Sequence, residues 1–464
     1  MAYVLNLAYL LLLLLGSPWI AYAAIRHGKY RAGWSQRLWG QTPPKKSQRA
    51  CIWLHAVSVG EVNLLASLLR QIDQQLPEYE CVISTTTRTG FELATSRYAD
   101  RLVFYAPLDF TWAVQRALRR LRPAMLVLVE LELWPNWLRA AQRMEVPIAI
   151  VNGRLSDASW RGYRRWRPLV LRWLKCLDII AAQNTEYAER FADLGAPLDR
   201  IHITGSIKFD GARSDRQNPA TVRCRELAGI QPADVVLLAG STQEPEERLA
   251  LETFQQLAAE FPRLKLILVP RHPERFGDVA QLCQRSGIAW SRRSELEQAD
   301  REPTRADRLI LIDVVGELGA WWGLADMGFV GGSLTQRGGQ NMIEPAAYGV
   351  ATCFGPHTHN FRDIVDALLQ RQAAVVVQDG AGLTRFVRQC LTDTTYRREL
   401  GERAREMVSQ QGGATAKTVD LLKRGLSATT VRDPQPAMVP ARHTGPPAAS
   451  PSQRQQPGRP SARS

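Results

Sequence analysis

The sequence predicts an α/β protein of two Rossmann-like domains with parallel sheets, facing across a cleft. Three observations predict it. The chain has 464 residues, more than one ordinary core holds. Short β-rich apolar runs alternate with helical patterns in two successive sets, as parallel βαβ units do. Between the sets, "FDGARSDRQNPATVRCRELAGIQPAD" carries no such run and marks the division. The expected segments are a membrane anchor over 1–25, domains over 26–211 and 212–426, and a disordered tail over 427–464.

Residues 4–25 hold 22 positions without a charge. As a helix they reach about 33 Å, enough for a hydrocarbon layer of about 30 Å. Ala21-Tyr22-Ala23 imitates a signal-peptidase site, but no Lys or Arg precedes the apolar run. Arg26, Lys29 and Arg31 follow it, which favours an uncleaved anchor with the rest of the chain on the cytoplasmic side.

The first set of strands is expected at 51–57, 81–85, 102–105, 125–129, 148–151, 178–182 and 201–204. After the first comes "HAVSVGEVN", a small-residue turn into a helix with Glu61 in its first turn. That edge of an open parallel sheet is where ligands bind. A first-turn acid that merely complements the helix dipole is the alternative. "LVLVELELWPNW" ends another strand, and alternation along it puts Glu130 and Glu132 on one face. Such acids are costly unless paired or functional. "SWRGYRRWRPLVLRWLKC" interleaves Arg161, Arg164, Arg165 and Arg167 with aromatics. Trp166, Val170, Trp173 and Leu177 recur at helical spacing, giving an apolar stripe beside a basic face. Such a face suits an anionic membrane surface, or is simply solvated. "TGSIKFD" ends the set with Lys208, a site cation or a loop residue.

The second set is expected at 235–239, 264–269, 309–313, 327–330, 351–354 and 374–377. "LVPRHPERF" puts Arg271 at a strand end. "DVVGELGAWW" does the same for Gly316, Glu317 and Leu318. "GFVGGSLTQRGGQNMIEPAAYG" carries two Gly pairs, then Asn341 and Glu344 at a helix start. Gly pairs before a helix let backbone N–H groups approach a phosphate, and Glu344 can accept bonds from a ribose diol. Together with Arg271 this favours a nucleotide over a plain structural turn.

The formal charge of +14 suggests an acidic partner. No recognised nucleic-acid module is present, so a phosphorylated substrate or anionic lipid is expected instead. Seven scattered cysteines without a CxxC fit a reducing compartment, and no metal-ligand set is apparent. From 431 to 464 there are eight prolines and few large apolar residues, hence the expected disorder.

In order along the chain stand "HAVSVGEV", "VELELWPN", "GSIKFD", "GSTQEPEE", "LVPRHPERF", "GELGAWW" and "GGSLTQRGGQNMIEPAAYG...FGPHTHNF". From the anchor to about residue 425 the chain resembles the 3-deoxy-D-manno-octulosonic acid (Kdo) transferases. The resemblance implies a GT-B fold, with an acceptor domain first and a nucleotide-sugar donor domain second. It implies a CMP-Kdo donor, a lipid A precursor (lipid IVA) as acceptor, inversion, no metal or other cofactor, and the cytoplasmic face of a bacterial inner membrane. Carried over by motif, Glu61 is the general base, and Glu132 and Lys208 stabilise the transition state. Pro270, Arg271, Gly316, Glu317, Leu318, Asn341 and Glu344 contact CMP. Departures are Leu131 for the usual Thr between the acids, Val314-Val315 for Thr-Met, Arg88 for Pro, and the extra tail. Other GT-B enzymes, such as a nucleotide-sugar epimerase or a retaining transferase, and a tethered binder of acidic glycolipid remain as alternatives.

Overall fold

The computed structural model describes residues 2–27, 32–45, 47–297 and 307–430. Lys29, Arg31 and the tail from residue 431 lie outside the described residues.

Seven strands build the first sheet: β1 (Ala50–His55), β2 (Tyr79–Thr85), β3 (Leu102–Tyr105), β4 (Pro123–Val129), β5 (Ile148–Gly153), β6 (Ile179–Ala182) and β7 (Ile201–Ile203). Their order is β3-β2-β1-β4-β5-β6-β7, every pairing parallel. Both faces are covered by helices, so β1 is apolar on each: Cys51 and Trp53 enter one core, Ile52 and Leu54 the other.

The second sheet comprises β8 (Val235–Thr242), β9 (Leu264–Pro270), β10 (Trp290–Arg292), β11 (Leu309–Leu311), β12 (Met327–Val330), β13 (Ala351–Phe354) and β14 (Val375–Val376). It runs β10-β11-β9-β8-β12-β13-β14, again all parallel. The sequence reading had no counterpart of β10, a three-residue edge strand too short to show a period.

In each sheet the chain leaves its first strand to one side and later returns to the other. That reversal falls between β1 and β4 in the first domain and between β8 and β12 in the second. Crevices at the carboxyl ends of such strand pairs are the binding places of this architecture.

The last helix among the described residues, Ala414–Thr430, belongs by sequence to the expected second domain but packs on the first sheet. Val419, Leu422 and Leu426 are buried with Ile52, Leu54, Met125 and Ile179. The chain therefore crosses between domains twice. Asp210 ties the two crossings, its carboxylate accepting from the amides of Gly413 (2.7 Å) and Thr415.

The apolar N-terminal stretch is helical over Ala2–His27. Among the described residues no helix is long and apolar enough to cross a membrane. The helix docks on the first domain through Asn6 and Tyr9, and turns Leu7, Leu11, Leu12, Leu14 and Leu15 outward.

Candidate active site

The strand β1 ends at His55, and "AVSVG" turns the chain into helix Val59–Gln75. Ser58 is the N-cap and its hydroxyl faces the Glu61 amide. In return the Glu61 carboxylate accepts from Ser58 Oγ (3.0 Å) and from the Val57 amide (2.7 Å). This is the reciprocal capping of a Ser-x-x-Glu start. Glu61 thus holds its own helix N-terminus, as the dipole reading expected, and is buried at the mouth of β1. Burial pushes its carboxyl up, and the nearby Glu130 charge adds to this against the lowering hydrogen bonds.

Across the reversal point, β4 stops at Val129 rather than running on through the acids. Glu130 takes a left-handed backbone (φ 62°), so strand alternation does not extend to Glu132. The two acids do not work as a pair on one strand face. Glu130 points to Lys208, 3.5 Å from its Nζ. Glu132 is capped by Trp134 Nε1 at 2.7 Å. Burial first, then the Glu61 charge, raise the Glu132 carboxyl to about 7. The structure therefore brings Glu61, Glu132 and, through Glu130, Lys208 to one sheet edge.

Lys208 is held by a residue that sequence reasoning missed. Asn152, at the end of β5, is buried and accepts from the Ile207 amide at 3.0 Å. It fixes the turn that presents the lysine. An Asn-Gly after a strand was its only sequence signal.

In the second domain Glu344 is joined to Asn341 Nδ2 at 3.1 Å. Burial raises its carboxyl, while Asn341, Arg213 and Arg271 draw it back down. Pro270 closes β9 and Arg271 follows it, exposed. Gly316 turns with φ 95°, a left-handed conformation that suits glycine, and Leu318 begins the helix beyond. The Glu317 side chain is taken: Arg293 grips it through two bonds of 2.8 and 2.9 Å, and Trp321 Nε1 donates at 3.1 Å. A cavity of about 640 Å³ gathers Gly316, Glu317 and Glu344 with Arg213, Arg223 and, from the first domain, Arg97. It does not reach Glu61, Glu132 or Lys208.

The phosphate cradle expected of the first Gly pair is already filled. Glu246, wholly buried, accepts from the amides of Gly332 (2.7 Å), Ser333 (3.0 Å), Leu334 (3.0 Å) and Gln243 (2.9 Å). These N–H groups serve a carboxylate, so they are not open to a phosphate. The signal was the acid pair in "QEPEE" after β8, whose partner lies about 86 residues away.

The basic aromatic segment also departs from expectation. It forms two helices, Asp157–Arg165 and Arg167–Leu174, broken at Trp166. Pro168 has no N–H to give and restricts the residue before it, so one continuous stripe cannot form. Trp166 is exposed, while Val170 and Leu177 are buried. Arg161, Arg164, Arg165 and Arg167 all reach solvent. Arg164 lies over the Trp160 ring at 5.2 Å, Arg161 pairs with Asp157, and Arg167 Nε donates to Asp193 O.

Among the described residues no group of three His, Cys, Asp or Glu side chains is placed to hold a metal ion.

Comparison with known proteins adds the following. A family described as "3-Deoxy-D-manno-octulosonic-acid transferase (kdotransferase)" matches residues 32–211. A 3-deoxy-D-manno-octulosonic acid transferase of Haemophilus influenzae is 33% identical over 425 residues, covering 89% of this chain and 97% of that protein. One from Bordetella pertussis is 34% identical over 420 residues, covering 88% and 92%. Among solved structures, a UDP-GlcNAc 2-epimerase from Neisseria meningitidis superposes with a TM-score of 0.54 at 12% identity, over 81% of this chain and all of that one. That last likeness concerns the fold alone.

Proposed function

Because the chain belongs to the 3-deoxy-D-manno-octulosonic acid (Kdo) transferase family, and so is a glycosyltransferase, we propose that it moves Kdo from CMP-Kdo onto lipid IVA. The transfer is a single inverting displacement that needs no metal. A hydroxyl of the acceptor sugar attacks the anomeric carbon of Kdo and gives its proton to Glu61. The bond from that carbon to the CMP phosphate oxygen breaks, and CMP leaves with the electron pair. Lys208 and Arg271 offset the charge gathering on the phosphate, and Glu132 faces the developing positive charge on the sugar. Pro270, Arg271, Gly316, Leu318, Asn341 and Glu344 hold the cytidine, with Glu344 on the ribose diol. Glu317 contributes through its backbone, since its side chain is engaged by Arg293.

One observation carries this reading. Glu61 and Glu132, both pushed toward the protonated form by burial, meet at the reversal point of the first sheet. A carboxylate of raised pKa is the better proton acceptor near neutrality. The same observation favours a second reading, in which Glu132 is the base and Glu61 shapes the turn, because both oxygens of Glu61 are engaged at its own helix start.

The acceptor is a phosphorylated glycolipid, so the protein works at an anionic membrane surface. The outward leucines of the N-terminal helix and the exposed arginines 161, 164, 165 and 167 support that docking. The bacterial inner membrane, cytoplasmic side, is the site this implies.

Incubating purified protein with radiolabelled CMP-Kdo and lipid IVA tests the function. Labelled glycolipid is expected. Release of CMP with no labelled lipid, or binding without turnover, removes the reading.

A further inference from the structure

The N-terminal helix carries two polar residues three positions apart, Asn6 and Tyr9, among leucines. Residues at that spacing share a helix face. A purely lipid-facing helix has no use for them, yet the Asn6 side chain is buried. Asn6 Nδ2 donates to Thr111 Oγ1 at 2.7 Å, and its Oδ1 accepts from the Thr111 amide at 3.2 Å and Asn136 Nδ2 at 3.4 Å. Tyr9 donates its hydroxyl to Asp109 at 3.1 Å, and its ring meets Phe110 edge-on.

Asp109 and Asn136 are not surface groups. The Asp109 carboxylate is buried and accepts from the amides of Asn136 and Trp137, both at 3.0 Å. Asn136 Nδ2 returns a bond to the Asp109 carbonyl at 2.5 Å. Together they start the helix Pro135–Arg143, whose Trp137 packs on Trp53 and His55 of β1. Immediately before that helix stand Glu132 and Trp134, joined to each other. An unbroken set of contacts thus runs from the N-terminal helix to the acid at the site.

We infer that the N-terminal helix braces the acid-bearing loop, with Asn6 and Tyr9 as positioning residues that fix Glu132 through Asp109 and Asn136. The brace itself stands on these contacts. Its effect on rate rests on the reading of Glu132 given above. A carboxylate displaced by about 1 Å can cost 100-fold in rate, so a helix that only tethers and a helix that braces differ measurably.

Full-length Asn6→Ala and Tyr9→Phe proteins separate the two. Tyr9→Phe keeps the ring on Phe110 and loses only the hydroxyl, so it folds even where the first variant does not. Assayed with lipid IVA in detergent micelles, where tethering to a bilayer brings no advantage, kcat falls about 10- to 100-fold. KM for CMP-Kdo and partition onto phosphatidylglycerol vesicles stay at wild-type values. The amides of Asn136 and Trp137 exchange faster with deuterium. Wild-type exchange at those amides in Tyr9→Phe overturns the brace. Faster exchange with unchanged kcat overturns the positioning of Glu132. A wild-type protein that transfers no Kdo removes the reading of the site instead, and the exchange result still decides the brace.

Discussion

At the scale of single residues, burial raises the carboxyls of both Glu61 and Glu132, and a neighbouring acid adds to each, Glu130 for Glu61 and Glu61 for Glu132. Glu61→Gln keeps an oxygen for the Val57 amide, so the helix start survives. If Glu61 is the base, turnover falls by about 10²- to 10⁴-fold, with melting temperature and CMP affinity close to wild type. A variant keeping a third of its turnover leaves Glu61 as a helix cap and moves the proton to Glu132. For Glu132 the sign of the pH effect is fixed by its raised pKa. The folded protein holds the proton between the ordinary carboxyl value of about 4.5 and about 7, where the unfolded chain has lost it. Stability therefore declines as pH rises through that window. Glu132→Gln removes the penalty, so at pH 8 it should melt higher than wild type, by an amount on the order of 1 kcal/mol, while losing activity. Calorimetric melts at pH 5 and pH 8 check this: the gain must appear at the higher pH only.

At the scale of elements, the break at Trp166 divides the exposed arginines between two helices rather than along one stripe. Arg161 is paired with Asp157, which leaves Arg164, Arg165 and Arg167 as the main contribution to an anionic surface. Each is worth about 1 kcal/mol near such a surface. Changing all three to Ala should weaken binding to phosphatidylglycerol vesicles about 100-fold at low salt, and the difference should shrink as salt is added. Vesicle binding equal to wild type would make this a solvated face. The break is legible in Pro168, whose missing N–H and restricted neighbour override the helical spacing of the tryptophans. The Ser58-x-x-Glu61 cap was legible too, because both partners lie within one turn. Asn152 and Glu246 were not, since each serves a segment far away in sequence.

At the scale of the molecule, the two domains meet through Arg154, whose Nε lies 3.0 Å from Asp363, and through Tyr187, which donates to the same carboxylate at 3.0 Å. Asp210 holds the two crossings together. The Arg154–Asp363 pair is partly exposed, so its worth is at most about 1 kcal/mol. Asp363→Asn should raise the donor KM by no more than about fivefold, with each domain melting as before. Steady-state kinetics on CMP-Kdo decide it: an unchanged KM means that the pair plays no part in domain closure.

Periodicity and punctuation are local, and they are what the sequence by itself determined. Apolar runs covered on both faces announced parallel sheets, small residues after them announced turns at the carboxyl ends, and charged residues at those ends marked the places to look. Glu61, Lys208, Arg271 and Glu344 were singled out this way. Only the tertiary structure decided which of these groups meet. It paired Lys208 with Glu130, not Glu132, because a left-handed residue at Glu130 turns the chain directly after β4. It gave the Gly332 loop to Glu246, and folded the last helix back on the first sheet. It set the N-terminal helix against Asp109 and Asn136, 100 and 130 residues from their partners in it. Partners so distant in the chain are chosen by packing and by the need to satisfy buried polar groups, and neither leaves a period in the sequence.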